Sequence, residues 1–355
     1  MKKYINQQDM RDANVYNVLR LIRKEGRLTR RNIEAKTNLS WGAVSKVTSI
    51  LLEGNYIREV EIRENKGPGR TPIYLEINPD EYFTVGLDVN KSGLFAVLIN
   101  MKNEVKYFTL RKIEYFSEGA LITEILNIIS EVMDFSKGHK ILGIGIAMQG
   151  LVDSVNGVSV KFPACEDWKN VNLKEIVEEK FNVPAFVEHD PECILYAHSE
   201  SNNMDDCILI RVDNGIGMAV MINGKIFKRF GAFELGHLIA DDDMPLAYSA
   251  SLDGIEKKTG ESFETVKKKA YAGDETMKGI FLKMGRLLGK SIRNVSELLN
   301  VRNVLICGEM FENRELFYDT LKEYSGGEVK YFEADVKNAA TGAGMIAMNL
   351  SQISF

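Results

Sequence analysis

The run Leu94-Phe95-Ala96-Val97-Leu98-Ile99-Asn100 returns 123 residues later as Gly217-Met218-Ala219-Val220-Met221-Ile222-Asn223. A strand-like segment repeated at that distance means that one supersecondary unit is folded twice. The surroundings of the first copy fit: apolar runs at 83–88, 94–100 and 105–110 predict a three-stranded meander, Gly119–Asp134 a helix, and Ile141–Ala147 a buried strand. A second meander starts at Cys207. Two βββαβα halves facing each other would give an α/β body with a ligand cleft between lobes.

Composition narrows the class. A chain of 355 residues, 45% hydrophobic, can bury more than one core, and disorder, collagen and disulfide scaffolds are excluded. No apolar run approaches the roughly 18 residues of a membrane span, and the start MKKYINQQDM has no signal-peptide stretch, so a cytoplasmic protein is expected. Cys165, Cys193, Cys207 and Cys307 lack CxxC spacing and read as reduced, buried thiols.

The net charge of −5 conceals an asymmetry: residues 1–80 carry 15 Lys and Arg against 10 Asp and Glu, which leaves the excess of acid to residues 81–355. A basic head on an acidic body suggests that the head meets an anion, although a chance excess on a solvated face reads the same way. The expected domains are thus 1–80 and 81–355, with lobes of about 81–200 and 201–355.

Within the head, Val15, Val18, Leu19 and Ile22 predict a helix over Asn14–Lys24 stopped by Gly26. Thr29 caps a second helix, with Ile33 and Ala35 facing inward, and Ser40 caps a third. There Val44, Val47, Ile50 and Leu51 form the buried stripe, while Gly42, Ser45, Lys46 and Ser49 point outward. A face of small and polar residues is what entry into a major groove requires. Residues 56–61 and 73–77 read as a strand pair joined by a Gly- and Pro-rich tip bearing Lys66 and Arg70. The head is therefore expected to be a winged helix-turn-helix on double-stranded DNA, with Ser40, Trp41, Ser45, Lys46, Ser49 and Lys66 as contacts and Arg70 as the minor-groove candidate.

In the body, Gln149-Gly150, Glu188-His189-Asp190 and Glu234-Leu235-Gly236-His237 follow predicted strands or a glycine-rich hairpin and converge on the cleft. The tip Gly67-Pro68-Gly69-Arg70-Thr71-Pro72, then Gly145–Asp153, Val187-Glu188-His189-Asp190 and Phe233–His237, in this order, resemble the motifs of the ROK family of sugar kinases and sugar-responsive repressors, particularly its xylose-repressor type. The resemblance spans essentially the whole chain. It implies a two-lobed body of the actin/hexokinase (ribonuclease H-like) kind behind the winged helix. It also implies a sugar site at Gln149, His189, Asp190, Glu234, His237 and Asp253. Asp190 matches the kinases' general base. Alternatively, it caps a loop and His237 bonds backbone.

Two departures carry weight. The kinases' Asp-x-Gly-Gly-Thr phosphate turn reads Asp88-Val89-Asn90-Lys91-Ser92, and Asp213 stands in the second phosphate loop, Val212–Gly217. Side chains where glycines were, and a carboxylate facing the phosphates, disfavour ATP, so no enzyme activity and no cofactor are expected. The family's zinc cysteines are absent downstream of His237, where Asp241–Asp243 reads as a solvated loop, so no metal is expected. The expected protein is a homodimeric or tetrameric regulator, a repressor of a carbohydrate-utilisation operon. The helices around Met277–Leu299 and Ala339–Leu350 offer apolar dimer faces. A sugar kinase with an atypical phosphate loop, and a regulator that senses a protein partner, are the alternatives.

Overall fold

The computed structural model describes residues 7–61, 72–113, 117–136, 138–202, 204–228, 233–241 and 243–351. The head comprises α1 (Gln7–Glu25), α2 (Arg30–Thr37), α3 (Trp41–Glu53) and the antiparallel strands β1 (Ile57–Glu61) and β2 (Ile73–Ile77). Thr29 and Asn32 form a reciprocal capping box on α2, Asn38 ends it at φ 56°, and Ser40 Oγ accepts from Ala43 N–H at the start of α3. These bonds satisfy amides that a helix start leaves open, each contributing about 1 kcal/mol. Val15, Val18, Ile22, Ile33, Val44 and Leu51 are fully shielded from solvent, and Leu28 bridges to Leu75 of β2. Three details differ from expectation. α1 starts earlier than Asn14; Ala35 is exposed; and α3 also buries Thr48, anchored by Arg30, while Ile50 is only half-buried against the core. Lys66 and Arg70 lie outside the described residues.

The first lobe runs through β3 (Tyr82–Asn90), β4 (Gly93–Asn100), β5 (Val105–Arg111), α4 (Glu118–Phe135) and β6 (Lys140–Met148). The short strands β7 (Leu151–Asp153), β8 (Val158–Lys161) and β9 (Lys169–Val171) follow, then α5 (Leu173–Phe181), β10 (Ala185–His189) and α6 (Asp190–Asn202). The second lobe has β11 (Cys207–Val212), β12 (Ile216–Ile222), β13 (Lys225–Ile226), a 3₁₀ turn at Leu235–His237, and β14 (Ile239–Asp241) with β15 (Met244–Pro245). Four helices come next: α7 (Leu246–Ala250), α8 (Leu252–Thr259), α9 (Phe263–Tyr271) and α10 (Glu275–Leu299). β16 (Val304–Cys307), a second 3₁₀ segment (Glu309–Leu316), α11 (Tyr318–Ser325), β17 (Val329–Tyr331) and α12 (Asn338–Leu350) complete it.

The duplication is visible in the hydrogen bonding. One sheet has the order β10-β6-β3-β4-β5 and the other β17-β16-β11-β12-β13, with antiparallel and parallel pairs in matching places. The repeated heptapeptides are β4 and β12, the equivalent second strands. The closing helices of the two repeats cross over: α6 packs on β11 and β12 of the second lobe, α12 on β3, β4 and β6 of the first, and the two helices pack on each other. Glycines permit this closeness, since a Cβ on Gly86 would stand 1.9 Å from Ala340 O and one on Gly342 1.9 Å from Cys193 O. The apolar face of α12 is therefore spent inside the chain, and α12 is not the dimer face that its sequence suggested. All four cysteines are buried thiols.

Candidate functional site

Both lobes contribute to one cleft of about 610 Å³. Gln149, His189 and Asp190 line it from the first lobe; Glu234, His237 and Asp253 line it from the second. The six residues that the sequence singled out are thus brought together, by the ends of β6 and β10, by the 3₁₀ turn and by the first turn of α8.

Asp190 is the first residue of α6, where a carboxylate faces the positive end of the helix dipole. Its Oδ2 accepts from Arg211 Nη1 at 2.8 Å, while Oδ1 lies 3.6 Å from His189 Nε2. Arg211 also donates through Nε to Asp213 Oδ2 at 2.5 Å, so one guanidinium clasps carboxylates of both lobes. Burial lowers the His189 pKa below the ordinary imidazole value and keeps the ring neutral, with Nδ1 shielded and unpartnered. Behind this pair, burial pushes Asp88 up to about 7, with Asp190 and Asp213 reinforcing and Arg211 opposing. A neutral imidazole and partly unpartnered carboxylates can exchange hydrogen bonds with hydroxyl groups in either direction.

A second contact across the lobes lies one residue before His189. Glu188, almost fully buried, pairs with Lys228 beyond β13. Glu192, in the first turn of α6, is pushed up to about 8 by burial and then by Glu188. Sequence reasoning missed Arg211, Lys228 and Glu192. The signal for Arg211 was present: it is the single charge in the apolar strand Cys-Ile-Leu-Ile-Arg-Val.

The phosphate-loop positions are filled from within. Asn90 Oδ1 accepts from Ser92 N–H at 2.8 Å, and Gln149 Oε1 accepts from Lys91 N–H at 3.0 Å. Asp213 Oδ1 accepts from Glu309 N–H at 2.6 Å, at the start of the 3₁₀ segment that follows Gly308. Side chains thus hold amides that could otherwise meet an anion. Glu234 and His237 are looser, with Oε2 and Nδ1 3.8 Å apart and both side chains well exposed, and Asp253 is exposed at the rim. Among the described residues no group of three or more His, Cys, Asp or Glu could hold a metal ion.

On the head, Ser40, Trp41, Ser45, Lys46 and Ser49 are all exposed on α3 or its cap, and Trp41 is half-exposed despite its size. Among the described residues no helix is long and apolar enough to cross a membrane.

The chain is 24% identical over 340 residues to the xylose repressor of Bacillus subtilis (strain 168), covering 89% of this chain and 87% of that one. It is 25% identical over 336 residues to the DNA-binding transcriptional dual regulator NagC of Escherichia coli (strain K12), covering 85% and 82%. The fold matches the crystal structure of a ROK family transcriptional regulator, a homolog of the E. coli MLC protein. The TM-score is 0.82 at 22% identity, covering 97% of each chain. The model of the ROK family matches residues 86–345, most of the chain and both lobes of the cleft, and the protein belongs to that family.

Proposed function

We propose that the protein is a sugar-responsive, DNA-binding transcriptional regulator, a repressor of carbohydrate-utilisation genes. The observation that carries this reading is the convergence of Gln149, His189, Asp190, Glu234, His237 and Asp253 on one cleft in a chain that also presents an exposed, small and polar α3. The relatives named xylose repressor and transcriptional regulator support it. Asp190 Oδ1 and the neutral His189 bind ligand hydroxyls, Gln149 donates through its amide nitrogen, and Glu234, His237 and Asp253 close over the ligand from the second lobe. Ser40, Trp41, Ser45, Lys46 and Ser49, with Lys66 and Arg70 from the segment between β1 and β2, bind operator DNA in a two-fold dimer. Its half-sites lie whole helical turns apart.

Phosphoryl transfer is no part of this reading. Phosphate binding needs unpaired donors. The amides of Lys91, Ser92 and Glu309 are already bonded to side chains. A coupled ADP-release assay over hexoses, pentoses and N-acetyl sugars is expected to show no turnover. Turnover that disappears in Asp190→Asn would establish a kinase instead. A sugar present at 100 times its dissociation constant stabilises the protein by about 2.7 kcal/mol, which a thermal-shift panel detects. A panel without any shift would favour a protein partner as the effector.

A further inference from the structure

We propose that the bridge Arg23–Asn349–Tyr196 is the joint through which the position of the lobes at the cleft sets the orientation of the winged helix; this rests on the reading above and names its regulation. The route begins at Asp190. α6 runs from that residue to Asn202, so Glu200 stands about 15 Å further along the axis. A helix so short and so closely packed moves as a rod. Its flank is locked to α12 at Gly342, where the two backbones approach too closely for any side chain. The two helices therefore move together.

Their far ends meet α1 of the head. Asn349, in the last turn of α12, donates through Nδ2 to the Tyr196 hydroxyl of α6 and accepts at Oδ1 from Arg23 Nη1 of α1 at 2.9 Å. One amide side chain thus ties three helices together. Beside it Arg20 of α1 approaches Glu200 of α6 at 4.0 Å, and a Cβ on Gly224, in the β12–β13 turn, would lie 4.0 Å from Arg20 Nη2. The first lobe meets the head through Tyr82 and Met101, and α12 through Met348, all of which share its hydrophobic core. The head therefore rests on elements of both lobes, and a change in the angle between them must either move α1 or break this contact.

The arrangement also leaves something unsatisfied. Arg23 Nε is shielded from solvent without a hydrogen-bond partner. A buried donor in that condition favours any alternative placement of α1 that gives it an acceptor.

The test needs neither the natural effector nor an operator, so its failure is distinct from failure of the DNA or sugar readings. Amide hydrogen exchange is followed across residues 15–25 of α1 in the full-length protein, in the parent, Asp190→Asn, Tyr196→Phe and the double variant. Asp190→Asn removes the carboxylate that Arg211 clasps, and Tyr196→Phe removes only the hydroxyl that accepts from Asn349. Asp190→Asn is expected to speed α1 exchange at least threefold in the parent background and by less than half that factor in the Tyr196→Phe background. Asn349→Ala in place of Tyr196→Phe gives the same loss of response. Unchanged α1 exchange in Asp190→Asn, or an equal response with and without the Tyr196 hydroxyl, would overturn the proposal.

Discussion

Arg211 Nη1 of the second lobe lies 2.8 Å from Asp190 Oδ2 of the first, at the head of α6. The same guanidinium holds Asp213 and faces Asp88, so it is the cation among three carboxylates. Removing it leaves buried negative charges facing one another. Arg211→Met is expected to destabilise the protein by about 3 kcal/mol in urea unfolding, whereas Arg211→Lys, which keeps the charge and loses the fork, costs less. Equal stability of Arg211→Met and the parent would show that the clasp is not a structural element.

Asp88 and Glu192 make a prediction of definite sign. Burial raises both carboxyls, to about 7 and about 8. An acid whose folded-state pKa exceeds its unfolded value binds its proton more tightly in the native state. Its stabilising contribution is complete below about pH 4 and is lost as pH rises through the folded value. Asp88→Asn and Glu192→Gln should therefore each flatten the fall in stability between pH 5 and pH 8.5, and each variant should exceed the parent most at the alkaline end. Parallel stability curves for parent and variants would contradict it.

The crossover of α6 and α12 can be probed at Gly342. A methyl group there meets the carbonyl of Cys193, which is part of a helix backbone and cannot swing aside. Gly342→Ala is expected to cost about 2 kcal/mol and to loosen α6 from α12. Gly279, whose added Cβ meets nothing within 4 Å, is the control, and alanine there should be tolerated.

For the head, Lys46 stands exposed on the outer face of α3, and Arg70 lies in the sequence between β1 and β2. Lys46→Ala and Arg70→Ala should each weaken DNA binding across sequences and reduce the slope of log affinity against log salt by about 1. Gel shifts unchanged in both variants would remove the head from DNA recognition.

Much of this was legible in the sequence because it depends on local pattern. The caps at Thr29 and Ser40 and the repeat of β4 in β12 need only short windows. Five of the six cleft residues were placed by their position after predicted strands or a hairpin, and Asp253 by resemblance; the fold brings them together because they sit at the ends of strands or the starts of turns and helices. What the sequence hid was pairing between distant segments. Arg211 could be seen as an odd charge in an apolar strand, but its partners lie 21 residues back and 2 ahead, across two lobes. The apolar run of α12 suggested a subunit face because periodicity reports that a face is buried and not what buries it.

The central claim joins two sites: a sugar in the cleft changes how the head binds DNA. It is tested most directly by fluorescence anisotropy on a duplex that the protein selects from a random pool, titrated with and without each sugar that shifts its melting. The account predicts that one sugar lowers DNA affinity by a factor of 5 or more, that DNA lowers affinity for that sugar by the same factor, and that Asp190→Asn abolishes both. Sugar binding that leaves DNA affinity unchanged, or a DNA effect that persists in Asp190→Asn, would contradict it.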